Sequence, residues 1–145
     1  MAREDDLGPA LSGRLTYLLK RTLVDLEALH ERHLDPAGVN ARELAVLLFL
    51  DGREPESQQQ AAAHLGVDRT TMVGLLDSLE GKALVARRPD AEDRRRNVVV
   101  LTDAGQAKLL EATKASDAAE RELLAPLDDR EAAQLRALLK RVTAP

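Results

Sequence analysis

The sequence predicts a mainly α-helical protein with one small β-hairpin, and three observations support this prediction. Leucines recur at helical spacing near both ends of the chain. Polar helix-start signatures precede several of the apolar segments. A β-branched run, Val98–Val100, provides the clearest strand signal. The length of 145 residues favours a single domain over residues 1–145.

The first predicted helix runs from Pro9 to about His33. One leucine stripe is joined by a second stripe formed by Leu19 and Leu23, so the apolar surface is broad enough to pack against more than one neighbour. The break after this helix is predicted at Asp35–Gly38, a segment that holds both Pro and Gly. The first stripe consists of Leu11, Leu15, Leu18, Leu26 and Leu29.

The next helix is predicted over the apolar run Leu44–Leu50. Asn40 and Glu43 precede this run with the spacing of a capping box. In this motif the side chain of each residue accepts a hydrogen bond from the backbone N–H of the other. Asp51 and Gly52 end the run.

A helix-turn-helix is predicted in the middle of the chain. Ser57 and Gln60 form a second capping box, Gly66 stops the short helix that follows, and Asp68 caps the next helix. On a helical wheel this second helix has an apolar face with Met72 among its residues and an opposite face of small and polar residues. That small face suits insertion into a groove and comprises Thr70, Gly74, Asp77, Ser78 and Gly81.

Two strands are predicted at Leu84–Arg88 and Asn97–Thr102, with Pro89–Arg96 as a long polar tip between them. A two-stranded hairpin is only marginally stable alone, so we expect it to lean on the helices. Helix-turn-helix plus hairpin is a winged helix-turn-helix, here predicted over residues 40–102.

Two helices are predicted after the hairpin. Thr102 can cap the first, which runs to about Ala125 because Pro126 prevents its continuation. Asp128 and Glu131 begin the second helix, and its apolar stripe consists of Leu135, Leu138, Leu139 and Val142.

Composition excludes several classes of function. The chain has no Cys, which rules out disulfides, thiolate metal sites and thiol redox sensing. Tyr17 and Phe49 are the only aromatic residues, so stacking on bases or cofactor rings is a poor candidate for the main activity. We find no motif of an enzyme, no cofactor motif, no membrane-spanning run and no signal peptide, and therefore expect a cytoplasmic protein that is not an enzyme.

Charge is concentrated in one segment. The net charge is −4, yet residues 87–96 hold five Arg and three acidic residues. A mildly acidic body with one Arg-rich segment suits a protein that contacts a polyanion at one place.

The segments 65–89 and 93–105 resemble the MarR family of bacterial transcriptional regulators. The order of the surrounding helices agrees as well, so the resemblance covers nearly the whole chain. Its most specific part combines Asp93 and Arg95 at the hairpin tip with a strand that ends in Leu-Thr and a Gly three residues later. The residues that carry the resemblance are Leu65–Val73, Leu75–Glu80, Leu84–Val85, Arg87–Pro89, Asp93–Arg95 and Leu101–Gly105.

The resemblance implies a homodimer that binds double-stranded DNA at a palindromic site, with residues 7–34 and 103–143 as dimerisation helices. It implies a regulator, with repression the expected mode, that a small-molecule effector releases. The implied DNA contacts are Arg69, Thr70, Thr71, Gly74 and Ser78 on the recognition helix, Asp93, Arg94, Arg95 and Arg96 on the wing, and Ser57 and Gln58 as phosphate anchors.

Two positions depart from the family pattern. Gly74 stands where many relatives have a basic or larger polar residue, which leaves fewer side chains to read bases. Gly81-Lys82-Ala83 replaces the usual Lys-Gly before the strand, and the turn there is expected to shift.

The effector expected from the resemblance is a small aromatic or carboxylate compound. Arg14, Tyr17, His30 and His33 are candidates to bind it on chemical grounds alone, and an ordinary surface position is the favoured alternative for each. His30 and His33 also have a spacing compatible with a metal ion, but no third ligand is evident, so no metal is predicted. A protein-interaction scaffold with degenerate DNA binding is the alternative function, although its wing should be poor in Arg.

Overall fold

The structure, a computed structural model, describes residues 7–145. It is mainly α-helical with one small antiparallel sheet, as the sequence predicts. The helices are α1 (Pro9–Ser12), α2 (Leu15–Leu34), α3 (Ala41–Leu50), α4 (Gln58–Leu65), α5 (Arg69–Gly81), α6 (Asp103–Leu123) and α7 (Asp129–Thr143), with a 3-10 turn at Asp35–Ala37 between α2 and α3. The strands are β1 (Glu56–Ser57), β2 (Val85–Pro89) and β3 (Asn97–Leu101).

The chain divides into two compact units. One is continuous, Leu34–Ser116, and we call it the winged-helix unit; the other joins the residues up to His33 with Asp117–Pro145, and we call it the terminal unit. The first part of α6 belongs to the winged-helix unit because Leu109 and Ala112 are buried in its core. The remaining core side chains include Leu47, Met72, Leu76, Leu79 and Val99.

The helix starts in the winged-helix unit follow the predicted capping chemistry. Asn40 and Glu43 form a complete capping box at α3, and Ser57 and Gln60 form another at α4. Gly66 ends α4 in the left-handed conformation at φ +65°, which a residue without Cβ adopts at little cost.

The sheet has three strands, where the sequence predicts only a hairpin. Its order is β1-β3-β2, with Ser57 opposite Val98 and Arg88 also opposite Val98 on the other side of β3. Glu56 is held in β1 by its carboxylate, which lies 3.1 Å from Nη2 of Arg53 and 2.9 Å from Nδ1 of His64. β1 has only two residues and no strand-like pattern of its own, so tertiary pairing rather than local sequence creates it.

Gly105 is required by a close approach of two backbones. A Cβ built on Gly105 would lie 2.0 Å from the carbonyl oxygen of Leu84. The amide of Thr102 donates to this same oxygen at 3.1 Å. The Leu-Thr-x-x-Gly spacing at the end of β3 therefore has a packing reason: α6 starts directly against the chain that enters β2.

The terminal unit corrects one prediction. The helix predicted from Pro9 to about His33 is broken after Ser12, and α2 begins at Leu15. The amide of Arg14 bonds the carbonyl of Leu11 at 3.0 Å, a tighter turn than an α-helix makes, and Gly13 has low helix propensity. α6 ends at Leu123 and α7 starts with a capping box between Asp128 and Glu131.

Candidate nucleic-acid interface

The first turn of α5 presents polar side chains at a helix N-terminus. The carboxylate of Asp68 accepts from the backbone N of Thr71 at 2.7 Å and from its hydroxyl at 2.8 Å. These bonds, the backbone one foremost, hold the pKa of Asp68 below its ordinary range. Within residues 7–145 the exposed side chains of Arg69 and Thr70 make no hydrogen bond or ion pair. They are therefore free to bind a ligand, whereas the hydroxyl of Thr71 is already engaged.

The two faces of α5 separate as the helical wheel predicts. Met72, Leu76 and Leu79 are buried, while all the residues of the small face are exposed. Gly74 lies in the middle of this exposed face, and a Cβ built on it would meet no atom within 4 Å. The protein itself therefore gives no packing reason for a glycine there.

Ser78 is tied to a buried acid. Its hydroxyl donates to Oε2 of Glu43 at 2.9 Å, and Nζ of Lys82 donates to the same oxygen at 2.9 Å. Burial alone would raise the pKa of Glu43, but the hydrogen bonds from Lys82, from the backbone of Asn40 and from Ser78 outweigh it, and the pKa is lowered. Ser78, predicted to contact DNA, thus has a structural partner that anchors α5 to the start of α3.

The turn after α5 shows how the departure from the family pattern is accommodated. Ala83 adopts φ +59°, a left-handed conformation that normally favours glycine. The residues Lys82-Ala83 therefore occupy the place of the usual Lys-Gly, with alanine in the strained position. The chain then enters β2, where Val85 pairs with Leu101.

The wing tip is closed by backbone hydrogen bonds around Asp93. Its side chain accepts from the amide of Arg95 at 3.1 Å, and its carbonyl accepts from the amide of Arg96 at 3.0 Å. Asp93 therefore holds the backbone of Arg95 in the turn at the wing tip. The guanidinium groups of Arg94 and Arg95 are exposed and have no hydrogen-bond or ion-pair partner among the residues described.

Arg87, which the sequence reasoning did not select, contacts three acceptors on the helix-turn-helix. Its Nη2 lies 2.8 Å from Oδ1 of Asp77 and 3.4 Å from Oε1 of Gln58, and its Nη1 lies 3.2 Å from Oε1 of Glu80. The available signal was weak: Asp77 is on the predicted small face, Glu80 follows it by about one helical turn, and Arg87 is in the predicted strand that comes next. Arg96 makes a comparable contact, with Nη2 3.0 Å from Oε1 of Gln60.

A concave groove of about 900 Å³ gathers many of the predicted contact residues. It lies between the start of α4, the start of α5 and the wing. Thr70, Thr71, Gly74, Ser78, Asp93 and Arg94 are not among the residues that line it. Of the predicted contacts, the groove is lined by Ser57, Gln58, Arg69, Arg95 and Arg96.

The four effector candidates do not form one site within a chain. Tyr17 and His30 are 13 residues apart on α2, about 20 Å along the helix axis. Tyr17 accepts a hydrogen bond from Arg21 at 3.1 Å, and Nε2 of His33 lies 2.6 Å from Oε2 of Glu122, which Arg32 also binds. These two bonds, that of Arg32 foremost, lower the pKa of Glu122.

Residues 7–145 show neither a metal-binding cluster nor a membrane-spanning helix. They contain no cluster of three or more His, Asp or Glu side chains arranged to hold a metal ion. None of their helices is both long and apolar enough to cross a membrane.

The geometry is that of a winged helix-turn-helix DNA-binding protein: a capped helix with a small, polar outer face stands beside an arginine-tipped hairpin. Comparison with known proteins narrows this class. A family model described as MarR family matches residues 37–96. The regulator PecS of Dickeya dadantii is 33% identical over 128 residues, which cover 83% of this chain and 77% of PecS.

Solved structures agree over nearly the whole chain. The transcriptional repressor CouR bound to a 23-mer DNA duplex is 31% identical, with a TM-score of 0.85 over 92% of this chain and 95% of that one. CouR from Rhodococcus jostii bound to p-coumaroyl-CoA is 30% identical, with a TM-score of 0.80 over 95% and 97%. The chain belongs to the MarR family. It is a DNA-binding transcriptional regulator and not an enzyme.

Proposed function

We propose that the chain acts in the bacterial cytoplasm as a homodimeric repressor that binds a palindromic operator and is released by a small-molecule effector. The observation that carries the proposal is the free cationic surface beside the groove. Within residues 7–145, three guanidinium groups form no hydrogen bond or ion pair with another side chain: those of Arg69 on α5 and of Arg94 and Arg95 on the wing. A protein with net charge −4 that keeps these cations unpaired is suited to a polyanion bound at this one surface.

Within that surface, α5 is proposed to enter the major groove. Arg69 can bind a guanine or a phosphate, and Thr70 can contact a thymine methyl or a phosphate at the positive end of the helix dipole. Gly74 allows close approach. Ser57 and Gln58 are proposed to bind phosphate, and Arg95 is proposed to enter the minor groove, where narrow A·T-rich segments attract Arg.

The proposed dimer rests on apolar surface that one chain leaves exposed. In the terminal unit these side chains belong to α1, α2 and α7, and a patch of this kind on a monomer indicates a protein interface. The dimer is proposed to hold its two copies of α5 about 34 Å apart, because this is the spacing of successive major grooves. The exposed side chains are Leu11, Leu15, Leu18, Leu19, Leu23, Val24, Leu138, Leu139 and Val142.

Light scattering after gel filtration tests the dimer with a matched pair of variants. Leu138 is 53% exposed on α7, and Leu48 is 49% exposed on α3 in the winged-helix unit. We expect Leu138→Glu to shift the mass towards a monomer and Leu48→Glu to leave it unchanged. A monomeric unaltered protein at micromolar concentration would overturn the dimer.

Fluorescence anisotropy with palindromic fragments from the DNA upstream of its gene tests operator binding. We expect saturable binding that weakens steeply with salt, and Arg95→Ala should reduce the slope of log K against log salt by about one. If no fragment is bound at low salt, the protein-interaction scaffold becomes the better account of this fold.

The effector is proposed to be a small aromatic carboxylate or a thioester of one. Support comes from the related CouR, whose structure with p-coumaroyl-CoA is among the similar structures. An effector can release DNA only if it binds more tightly to the dimer geometry that does not match the operator. A panel of aromatic carboxylates and their coenzyme A thioesters, added to the preformed complex, tests this: release identifies the class, and no release by any of them contradicts it.

A further inference from the structure

Six arginines surround the groove and the wing, and the structure separates them into two sets. Arg69, Arg88, Arg94 and Arg95 have guanidinium groups without a partner among the side chains of residues 7–145. Arg87 and Arg96 are instead bound to acceptors on the helix-turn-helix. A side chain that binds DNA phosphate must have no partner in the protein, whereas a side chain that holds two elements together must have one. The first set meets the first requirement, and the second set meets the second.

Arg87 connects three elements. It extends from β2 to Gln58 on α4 and to Asp77 and Glu80 on α5, and its side chain is only 22% exposed. Exposed single ion pairs contribute little to stability, but a half-buried guanidinium that uses both terminal nitrogens on several acceptors is held more firmly. Lysine cannot reproduce this contact, because an ammonium group lacks the planar fork.

Arg96 holds the other strand of the wing. Its guanidinium donates to Oε1 of Gln60, and this oxygen also accepts from the amide and the hydroxyl of Ser57 at 3.0 and 3.1 Å. The capping box of α4 is thus extended to the wing. Close to the tip, the carbonyl of Arg96 accepts from the amide of Asp90 at 2.8 Å, so the same residue also closes the hairpin loop.

We propose that Arg87 and Arg96 are positioning residues that fix the wing against α4 and α5, so that Arg94 and Arg95 are presented to DNA at a set distance from the recognition helix. This proposal rests on the DNA-binding function proposed above and deepens it. It replaces the expectation that Arg96 contacts DNA. It also assigns a role to Asp77 and Glu80, whose negative charges would otherwise stand uncompensated beside DNA.

Arg95→Ala and Arg96→Ala form a matched pair that tests the proposal. The two variants remove the same charge from adjacent residues, but within residues 7–145 only the guanidinium of Arg96 has an acceptor. In the free protein, we expect Arg96→Ala to accelerate amide hydrogen exchange of Val98–Val100 about three- to tenfold, the range for loss of one hydrogen bond, and Arg95→Ala to leave it unchanged.

Operator binding should also distinguish the two variants, and here Arg95→Ala is the one expected to change the salt dependence. We expect both variants to bind more weakly, but only Arg95→Ala should reduce the salt slope by about one, the amount for one lost cation that releases a counterion from DNA. Arg87→Lys retains its charge, so it should weaken binding and accelerate exchange in β3 while leaving the salt slope unchanged.

The outcomes distinguish failure of this proposal from failure of the function. If Arg96→Ala and Arg95→Ala change the salt slope equally and neither accelerates exchange, Arg96 is a DNA contact and the proposal is overturned. It is likewise overturned if Arg87→Lys behaves as the unaltered protein in both measurements. If the unaltered protein binds no DNA, the DNA-binding function fails, whereas hydrogen exchange still decides whether the two arginines hold the wing.

Discussion

The ammonium group of Lys82 lies 3.0 Å from Oε1 and 2.9 Å from Oε2 of Glu43, so it contacts both oxygens of a carboxylate that is only 3% exposed. The same nitrogen donates to the carbonyl of Gly38 at 2.9 Å. Since Glu43 starts α3 and Lys82 ends α5, this pair joins the far end of the recognition helix to the body of the winged-helix unit. The position of the DNA-facing helix therefore depends on a buried acid and its cation.

Removing the cation should destabilise the fold. In Lys82→Met the carboxylate of Glu43 loses its counter-charge while it stays buried, and we expect a loss of about 1–3 kcal/mol in the free energy of unfolding. The expected loss is smaller than that for a fully buried ion pair, because Lys82 is 39% exposed and water can replace part of the contact. Urea denaturation measures this as a lower midpoint at an unchanged slope.

A double variant provides the control. Glu43→Gln keeps the shape of the side chain, and the loss for Glu43→Gln together with Lys82→Met should be smaller than the sum of the two single losses. Strict additivity would show that the two residues do not interact in solution.

The same contact predicts how stability changes with acid. Because the folded state lowers the pKa of Glu43 below the ordinary value of 4.5, its carboxylate stabilises the fold fully above pH 4.5. This contribution is lost as the pH falls from about 4.5 through the lowered pKa. The difference in unfolding free energy between the unaltered protein and Glu43→Gln should therefore be constant near neutral pH and shrink below pH 4.5. Urea titrations at several pH values measure it, and a difference independent of pH would contradict the assignment.

The left-handed alanine provides a third prediction. An alanine at φ +59° costs about 1–2 kcal/mol relative to its preferred conformations, and glycine avoids this cost at some expense in chain entropy. We expect Ala83→Gly to raise the free energy of unfolding by about 0.5–1 kcal/mol. Gly66→Ala, at φ +65°, is the reverse change and should lower it by a similar amount. A less stable Ala83→Gly protein would mean that the turn gains more from the alanine side chain than it loses in strain.

Local chemistry explains which elements could be predicted from the sequence. The capping boxes at Asn40 and Ser57 and the left-handed Gly66 act within one helical turn, so spacing alone revealed them. The polar face of α5 followed from helical periodicity. The position of Asp93 in the wing tip depends on a turn of a few residues, and the resemblance included it.

Long-range contacts explain what was missed. β1 forms only because Ser57 pairs with Val98 some forty residues later, and the burial of Glu43 depends on a lysine 39 positions away. The two arginines that hold the wing were missed for the same reason. Arg87 and Arg96 belong to a run of arginines that look alike in the sequence, and only the acceptors that the fold brings to them separate the two sets.

Gly74 allows a prediction in which stability and binding change in opposite directions. An exposed glycine inside a helix costs about 1 kcal/mol relative to alanine, and the structure leaves open space for a Cβ at this position. We therefore expect Gly74→Ala to raise the free energy of unfolding by up to about 1 kcal/mol. If the glycine is present so that α5 can approach the bases closely, the same variant should bind its operator about tenfold more weakly, since one poorly accommodated contact costs roughly 1–2 kcal/mol.

Gly81→Ala is the matched control for this prediction. Gly81 is also exposed on α5 with open space around it, but it lies at the C-terminal end, away from the turn that carries Arg69 and Thr70. We expect Gly81→Ala to leave operator affinity unchanged in the same anisotropy titration. Equal affinity of Gly74→Ala and the unaltered protein would show that the middle of α5 does not approach the bases, and base reading would then be confined to the first turn of the helix.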